Sequence, residues 1–561
     1  MNKKLQTCAL ALAACACCAA EECQPLTYAN PIDLLYRVRP EEKMCFREGA
    51  DPEIVLHADK YWLFASKCGG YYVSDDLANW RHVATDDLPL EEYAPTVVEI
   101  DGTLYFSSRG ATVWRAVDPL AGKWKKVPGC IPSVDSALFL DDDGRLYDYE
   151  GGSSDTRQPI RVYEIDRKTM RPVAGEKPVA CFTADRSRYG YEARGHNNEL
   201  VASGERLGCL EGSHMIKRDG RYYFQFAGPG TEFFSYSDTA FVGETPKGPF
   251  ARQALNPFSF KNFGYAKGAG HGKTFRDRHG NFWHVTTCTY FGVDRRIMLF
   301  PVFFDRDGEM WCDTAFSDWP LAIPNRRCES PEDYHTGWMP LSDGKAATAS
   351  SNGGAAKNAS DGDARTCWAA AGAAGEWLQV DFGGIAEVRA VQACFGECNA
   401  FDAWRKPDAA RRWRVEATTD GTSWRTVVDA SAATDANDHV YRAFAEPVRA
   451  KALRLVCVSL PADARFVVRD LRAFGSMAKP VPSAPADLAV VRDAADARHA
   501  HLKWAAVPGA AGYLVRFGPT LGKMHLSWIV RGTPELDLRC LDAQLDYHWS
   551  VAAYNEAGFS R

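Results

Sequence analysis

The sequence predicts an all-β protein in which a five-bladed β-propeller is followed by two β-sandwich domains. Three observations support this prediction. A hairpin pattern recurs five times within about 250 residues, helical periodicity is nearly absent, and two later blocks change in composition but keep strand-like alternation. The chain has 561 residues, which suits about two to four domains.

Residues 1–20 have the pattern of an export signal. Lys3 and Lys4 precede an apolar stretch that is too short to span a bilayer. The segment LAAC, which ends at Cys15, is similar to a lipoprotein signal in which that cysteine carries a lipid anchor, and simple cleavage near Ala20 is the alternative. We therefore expect an exported protein that is periplasmic, extracellular or attached to the outer membrane. No later apolar run predicts a transmembrane helix.

The repeated hairpin defines the propeller, which we place in residues 21–327. Each repeat has a first residue, a short β-type run, a predicted two-residue turn and an aromatic-rich strand; an Asp-Gly turn between alternating apolar runs is a strong hairpin signal. The innermost strands of propeller blades run along a central channel, so the first residues are expected at one mouth of that channel. These first residues are Asp51, Ala94, Asp135, Glu211 and His271.

Three of the five positions carry carboxylates, namely Asp51, Asp135 and Glu211. Each of them alone is compatible with a turn, but three at equivalent positions of one repeat indicate a site. Like charges in one cavity raise at least one pKa, so one group can stay protonated near neutral pH while another stays ionised. Cleavage of a glycosidic bond needs this combination of a carboxylic acid and a carboxylate.

The motifs ADPEIV, VDSALFLDDDGRLY, EGSHMIKRDGRYYFQF and GAGHGKTF resemble glycoside hydrolase family 43 over about residues 28–325. The resemblance implies inversion at the anomeric carbon, with Asp51 as the general base and Glu211 as the general acid, about 6.5–9.5 Å apart. It implies that Asp135 orients the acid and adjusts its pKa. It also implies that His271 lies in the channel and helps to hold a calcium ion or a water molecule, and that Arg295 contacts the substrate.

Three further expectations concern the surroundings of this site. Arg296 is the alternative to Arg295 as the substrate-contacting arginine, Glu232 is predicted to line the pocket, and His271 is alternatively a structural histidine. The reaction requires no cofactor. We expect structural calcium in the propeller channel and in the second domain.

The second block, residues 328–476, resembles a discoidin or coagulation factor 5/8 C-type domain through NASDGDARTCW and EWLQVDFGG. Such domains in secreted glycosidases imply sugar binding, and a rigid spacer is the alternative. Residues 477–484 are Pro-rich and predict a linker. Residues 485–561 resemble a fibronectin type III domain whose final strand is expected to be missing after NEAGFSR. Cys394 and Cys398 are one candidate disulfide in an exported chain.

The sequence therefore predicts an exported, inverting exo-glycoside hydrolase that releases a terminal sugar from a polysaccharide or oligosaccharide. Arabinofuranosyl is favoured, with xylosyl, galactosyl or galactofuranosyl as alternatives. The net charge of −6 argues against a nucleic-acid partner. Two other hypotheses are a non-catalytic carbohydrate-binding propeller with accessory modules and a retaining enzyme acting on fructans. In the retaining enzyme Asp51 would be the nucleophile, and the carboxyl groups would be about 5–5.5 Å apart.

Overall fold

The computed structural model describes residues 25–38, 47–90, 93–109, 112–131, 135–152, 160–200, 209–291, 294–396, 410–460 and 464–561. The predicted export signal at residues 1–20, including Cys15, lies outside these residues. The helices of the described residues are short 3-10 turns, at Pro119–Ala121, Gly190–Glu192, Pro331–Tyr334, Gly353–Ala359 and Leu521–Lys523. None of the helices in this part of the chain has the length and apolar character needed to cross a membrane.

Five groups of antiparallel strands, which we call blades I to V, form the propeller, and one parallel pairing, Ser237 with Ala269, joins blades IV and V into a single sheet. The innermost strand of each blade contacts the innermost strands of its two neighbours, and blade V contacts blade I, so the ring is closed. This arrangement confirms the predicted five-bladed fold. From the channel outward, the strands are Ala50–His57, Lys60–Ser66, Gly70–Ser74 and Arg81–Ala84 in blade I; Thr96–Ile100, Thr103–Ser107, Thr112–Asp118 and Lys123–Cys130 in blade II; Ala137–Leu140, Leu146–Glu150, Arg161–Asp166, and the short Arg171–Pro172 and Val179–Ala180 in blade III; Glu211–Arg218, Arg221–Gly228, Ser237–Gly243 and Phe250–Arg252 in blade IV; and Lys267–Arg276, Phe282–Phe291, Asp294–Phe304 and Met310–Cys312 in blade V.

The inner hairpins use two kinds of turn. Blades I, II and IV have two-residue loops, and the Asp-Gly pairs of blades II and IV have positive φ at both residues, as a type I′ turn requires. The prediction of a two-residue turn was wrong for blades III and V, whose loops span residues 141–145 and 277–281. There an aspartate at the start of the loop organises the turn. For example, Asp277 Oδ1 accepts hydrogen bonds from the backbone of His279 and Asn281.

The chain before blade I packs against the last blade. Leu26–Tyr28 pairs antiparallel with Leu321–Ile323, and Arg37–Val38 pairs with Arg47–Glu48. Between these strands, the backbone N–H of Ile32 donates to the carbonyl of Ile297 in blade V, 3.0 Å away. The N-terminal segment therefore covers the outer part of the junction between blades V and I, where the two blades share one hydrophobic core.

The second domain is a β-sandwich packed against blade V. Arg472 crosses the contact and donates to the carbonyls of Asn30 and Asp318 at 2.7 and 2.5 Å. Cys394 is buried in a core shared with blade V and is a free thiol; Cys398, its predicted disulfide partner, lies outside the described residues. The strands are Met339–Pro340, Ala346–Ala349, Trp368–Ala369, Trp377–Phe395, Arg412–Thr418, Arg425–Ala430, His439–Ser459 and Val467–Met477.

The C-terminal domain has two sheets, and its edge differs from the prediction. The strand Gly558–Phe559 pairs with His548–Asn555, so a short final strand is present where none was expected. Its Phe559 ring contacts Phe316 and Trp319 of the segment that follows blade V, which anchors the edge. One sheet contains Ala489–Arg492, Ala500–Lys503 and Glu535–Leu538, and the other contains Leu526–Val530, Gly512–Gly518, His548–Asn555 and Gly558–Phe559.

Candidate active site

One residue in each blade has left-handed backbone geometry at the channel mouth. The φ angles are 51° at Asp51, 53° at Ala94, 50° at Asp135 and 47° at His271. In blade IV this position is held by Gly212, with φ of 64°. The prediction that Glu211 occupies the equivalent position was therefore wrong by one residue. The physical reason is that a constant spacing to the turn does not reveal loop lengths, which differ between the blades.

The left-handed residue lies at the same point of every blade, immediately before the inner strand begins its regular pairing. Two residues after it, each inner strand resumes regular pairing with its neighbour, so the left-handed residue and its successor form a local bulge or entry to the strand. The residues that resume pairing are Glu53, Thr96, Ala137, His214 and Lys273. The same backbone conformation therefore recurs at the start of all five inner strands, and Glu211 lies one residue before it in blade IV.

Gly212 is required by its close approach to His271. A Cβ atom on Gly212 would lie 2.7 Å from Cγ of His271, which is closer than non-bonded carbon atoms can pack. Its positive φ also favours glycine. The glycine that follows the acid therefore makes room for the imidazole at the centre of the site.

Asp51 is buried among groups that keep it ionised. Its Oδ2 accepts a hydrogen bond from Ser66 Oγ at 2.6 Å, and its Oδ1 lies 3.4 Å from His271 Nδ1 and 3.5 Å from a guanidinium nitrogen of Arg295. Burial alone would raise the pKa of Asp51, but His271, Arg295 and the hydrogen bonds outweigh it, so the pKa lies below its ordinary value. An ionised carboxylate at neutral pH suits a general base.

Asp135 and Glu211 lie together next to the same imidazole. One oxygen of each carboxyl group and one ring nitrogen of His271 all lie within 4.8 Å of one another. Burial, followed by the neighbouring Glu211, raises the pKa of Asp135 to about 7. Because the two carboxyl groups interact directly, the proton belongs to the pair.

The two neighbouring arginines of blade V point in opposite directions. The buried Arg295 contacts Asp51 and donates from Nε to Glu48 Oε1 at 2.9 Å. Arg296 is fully buried on the other face of the strand, where it bonds Asp438 of the second domain. This follows from strand geometry, since successive side chains alternate between faces. Arg295 is therefore at the site, and the alternative assignment to Arg296 was wrong.

Glu232, the remaining predicted site residue, is not one of the buried carboxylates. The Glu232 side chain is 51% exposed, and its nearest charged partner is Arg194 at 3.9 Å. It therefore lies outside the buried group, and its role in lining the pocket stays a prediction. The aromatic side chains of Trp62, Tyr71 and Tyr72 are buried on the strands of blade I and belong to the blade core.

The donor set around His271 fits calcium poorly. Calcium takes six to eight oxygen ligands, whereas His271 brings a ring nitrogen and its neighbours Asp135 and Glu211 are the carboxyl groups that acid chemistry would occupy. Deeper in the channel, Lys273 Nζ already donates to Glu53 at 2.7 Å. No step of the chemistry described below passes through a metal.

Four residues of the site were missed by sequence reasoning. They are Glu48, which pairs with Arg295; Ser66, which bonds Asp51; and Tyr236 and Cys209, which contact Glu211. All four lie outside the first position of the repeat, so the pattern that identified the carboxylates carried no signal for them.

The closed five-bladed ring and the carboxyl groups that flank one imidazole define a carboxylate-based site of the kind found in glycoside hydrolases. Residues 42–310 match the model of glycosyl hydrolases family 43, and residues 345–469 match that of the F5/8 type C domain. The propeller therefore matches glycosyl hydrolases family 43 and the second domain matches the F5/8 type C domain, as the motifs predicted.

Curated relatives share the propeller at low identity. A xylan 1,3-β-xylosidase of Vibrio sp. is 27% identical over 277 residues, which cover 42% of this chain and 47% of the relative. A xylosidase/arabinosidase of Butyrivibrio fibrisolvens is 27% identical over 271 residues, covering 42% of this chain and 48% of the relative. The chain thus spans about half the length of these two proteins. A β-D-galactofuranosidase of Aspergillus niger is 26% identical over 242 residues, covering 36% and 63%.

Among solved structures, a thermostable family-43 glycoside hydrolase is similar with a TM-score of 0.41 and 22% identity, covering 54% of this chain and 98% of its own. Another structure, described as a glycoside hydrolase, has a TM-score of 0.43 and 17% identity, covering 76% and 97%.

Proposed function

We propose that this protein is an exported, inverting exo-glycoside hydrolase. The observation that carries the proposal is the cluster around His271, where the buried Asp51, whose pKa is lowered, and the interacting pair of Asp135 and Glu211 lie close to one imidazole. The substrate is a polysaccharide or oligosaccharide with a terminal arabinofuranosyl residue as first choice. The names of the relatives, which include xylosidases and a galactofuranosidase, make xylosyl and galactofuranosyl residues the next sugars to test.

The proposed reaction uses the two sides of the site for two proton transfers. Glu211 gives its proton to the glycosidic oxygen as the C–O bond breaks, and the bonding electron pair leaves with that oxygen. Water attacks the anomeric carbon from the opposite face and gives a proton to Asp51, so the configuration inverts. Asp135 supplies the negative charge that keeps a proton within the pair, and Arg295 holds the base and the adjacent sugar hydroxyls.

A panel of aryl arabinofuranosides, xylosides, galactosides and galactofuranosides tests the activity. Glu211→Gln and Asp51→Asn should each lower kcat/KM by about 10²–10⁴-fold, because each removes a proton-transfer group. Glu329→Gln, which changes an exposed glutamate, is the matched control and should behave as wild type. Proton NMR of the first product should show the inverted anomer, and an exo enzyme should release only monosaccharide from an oligosaccharide.

The same experiments separate the alternative functions. If the first product keeps its anomeric configuration, the retaining mechanism with Asp51 as nucleophile replaces inversion. If no substrate turns over and Glu211→Gln binds oligosaccharides as wild type does, the protein is a non-catalytic carbohydrate-binding propeller.

Export and the accessory domains complete the proposal. Export rests on residues 1–20, and fractionation of cells that produce the full chain or Cys15→Ser would separate lipid attachment from simple secretion. For the second domain we propose sugar binding, tested by titrating polysaccharide into the Glu211→Gln full chain. For the C-terminal domain we propose a fibronectin type III fold, supported by its three-stranded and four-stranded sheets.

A further inference from the structure

A cysteine thiol contacts the carboxyl group of Glu211. The Sγ of Cys209 lies 2.9 Å from Oε2 of Glu211 and is placed to donate to it. The hydroxyl of Tyr236 donates to the other oxygen, Oε1, at 2.8 Å. Each oxygen of the carboxyl group therefore has its own donor, and the plane of the group is fixed from both sides.

The donors on the two sides of the site differ in charge. Asp51 faces Arg295 and His271, which favour the ionised form that a base needs. The described donors to Glu211 are a thiol and a phenol. Burial, followed by the negative charge of Glu211, raises the pKa of the Cys209 thiol, so the thiol keeps its proton. A neutral donor orients a carboxyl group without the strong preference for its ionised form that a cation would impose.

The position of Cys209 is fixed by its neighbour along the chain. Leu210 is 1% exposed and packs into the core of blades III and IV. A Cβ atom on Gly228 would lie 2.5 Å from Leu210 Cδ2, so the leucine fits closely against the second strand of blade IV. Cys209 is itself half-buried, and the buried leucine holds it between the core and the site.

We propose that Cys209 is a positioning residue that holds the Glu211 carboxyl group in the orientation needed to protonate the leaving oxygen. The inference rests on the proposed hydrolase function. It predicts that loss of the thiol impairs proton donation while water activation by Asp51 is unaffected. Proton donation matters most for substrates whose leaving group is a strong base, so the defect should depend on the leaving group.

The test compares Cys209→Ala and Cys209→Ser in the full chain, using aryl glycosides of the sugar that wild type accepts. The leaving groups run from 2,4-dinitrophenolate to unsubstituted phenolate. Cys209→Ala should lose about three- to tenfold in kcat/KM on the phenyl glycoside and less than about twofold on the dinitrophenyl glycoside. Cys209→Ser retains a donor and should restore most of the loss. Cys367→Ala, which changes another half-buried cysteine far from Glu211 in the sequence, should match wild type.

Equal losses on all leaving groups, or no rescue by serine, would overturn the role of Cys209 while leaving the hydrolase function intact. Wild type without turnover on any substrate would overturn the proposed function and this inference with it. Thermal unfolding of each variant identifies a general loss of structure. If Cys209→Ala is unfolded, the role of Cys209 is tested with Cys209→Ser alone. The proposal then requires that Cys209→Ser keeps the wild-type dependence of kcat/KM on the leaving group, and a changed dependence overturns it.

Discussion

Removing Asp438 should uncouple the F5/8 type C domain from the propeller. Asp438 and Arg296 are both fully buried, and Asp438 Oδ2 accepts from Arg296 Nε at 3.0 Å and from a terminal guanidinium nitrogen at 2.6 Å. Asp294 bonds the same Arg296 at 2.7 Å and also Arg469 at 3.0 Å. The two aspartates and two arginines thus form a group whose formal charges cancel.

The expected magnitude follows from this charge balance. Asp438→Ala leaves one uncompensated positive charge in the interface, and breaking one partner of a buried ion pair costs about 3–5 kcal/mol of the free energy of unfolding. The double variant Arg296→Met with Asp438→Leu removes both charges and leaves the Asp294–Arg469 pair intact. It should recover most of the loss, because apolar groups of similar volume often replace a buried pair without cost.

Urea denaturation followed by tryptophan fluorescence measures these effects. The control is Arg442→Ala, because Arg442 pairs with Asp33 at the edge of the same interface, where the arginine side chain is 52% exposed, and such exposed pairs contribute about 1 kcal/mol or less. The reasoning is refuted if Asp438→Ala loses less than about 1 kcal/mol, or if the double variant is as unstable as the sum of the single variants.

Four further predictions concern the site. Asp135→Asn should move the alkaline limb of the pH dependence of kcat/KM to lower pH. The pair of Asp135 and Glu211 must hold a proton for activity, so wild type should lose activity as the pH rises through about 7. The variant lacks the second carboxylate that retains this proton and should therefore lose activity at lower pH. The acid limb should lie below the ordinary range of an aspartate, because the pKa of Asp51 is lowered; a limb at higher pH would contradict its role as base. Gly212→Ala should cost about 1–3 kcal/mol in urea denaturation and lower kcat/KM, since its Cβ would displace His271; a fully active, equally stable variant would contradict this. Dialysis against EDTA should leave kcat/KM unchanged, and a loss restored by calcium would show that the channel holds a functional ion.

The blades could be predicted from the sequence because their signals are local. Asp101–Gly102 and Asp219–Gly220 form the turns that their residue types favour. The last strand of the C-terminal domain is only two residues long, and its stability comes from rings of a distant segment. No local pattern could reveal it.

The site could be predicted only as far as it is periodic. Asp51, Asp135 and His271 lie at the repeated position and were identified through it. Tyr236 and Cys209 contact Glu211, but neither lies at the repeated position, so their roles depend on tertiary proximity alone. The same limit applies to the choice between Arg295 and Arg296, which depends on where the F5/8 type C domain docks.

The one-residue offset in blade IV has a chemical consequence. A closed ring of equivalent positions would present its side chains to the channel in similar ways, whereas acid–base cleavage with inversion needs the acid and the base on opposite faces of the sugar. Gly212 occupies the left-handed position and leaves it without a side chain, so Glu211 approaches from one residue earlier, where Tyr236 and Cys209 can hold it. Asp51 keeps the left-handed position and meets Arg295 and His271 instead. The repeat therefore sets where the five inner strands begin. The one-residue offset in blade IV gives Glu211 uncharged hydrogen-bond donors, whereas Asp51 faces Arg295 and His271.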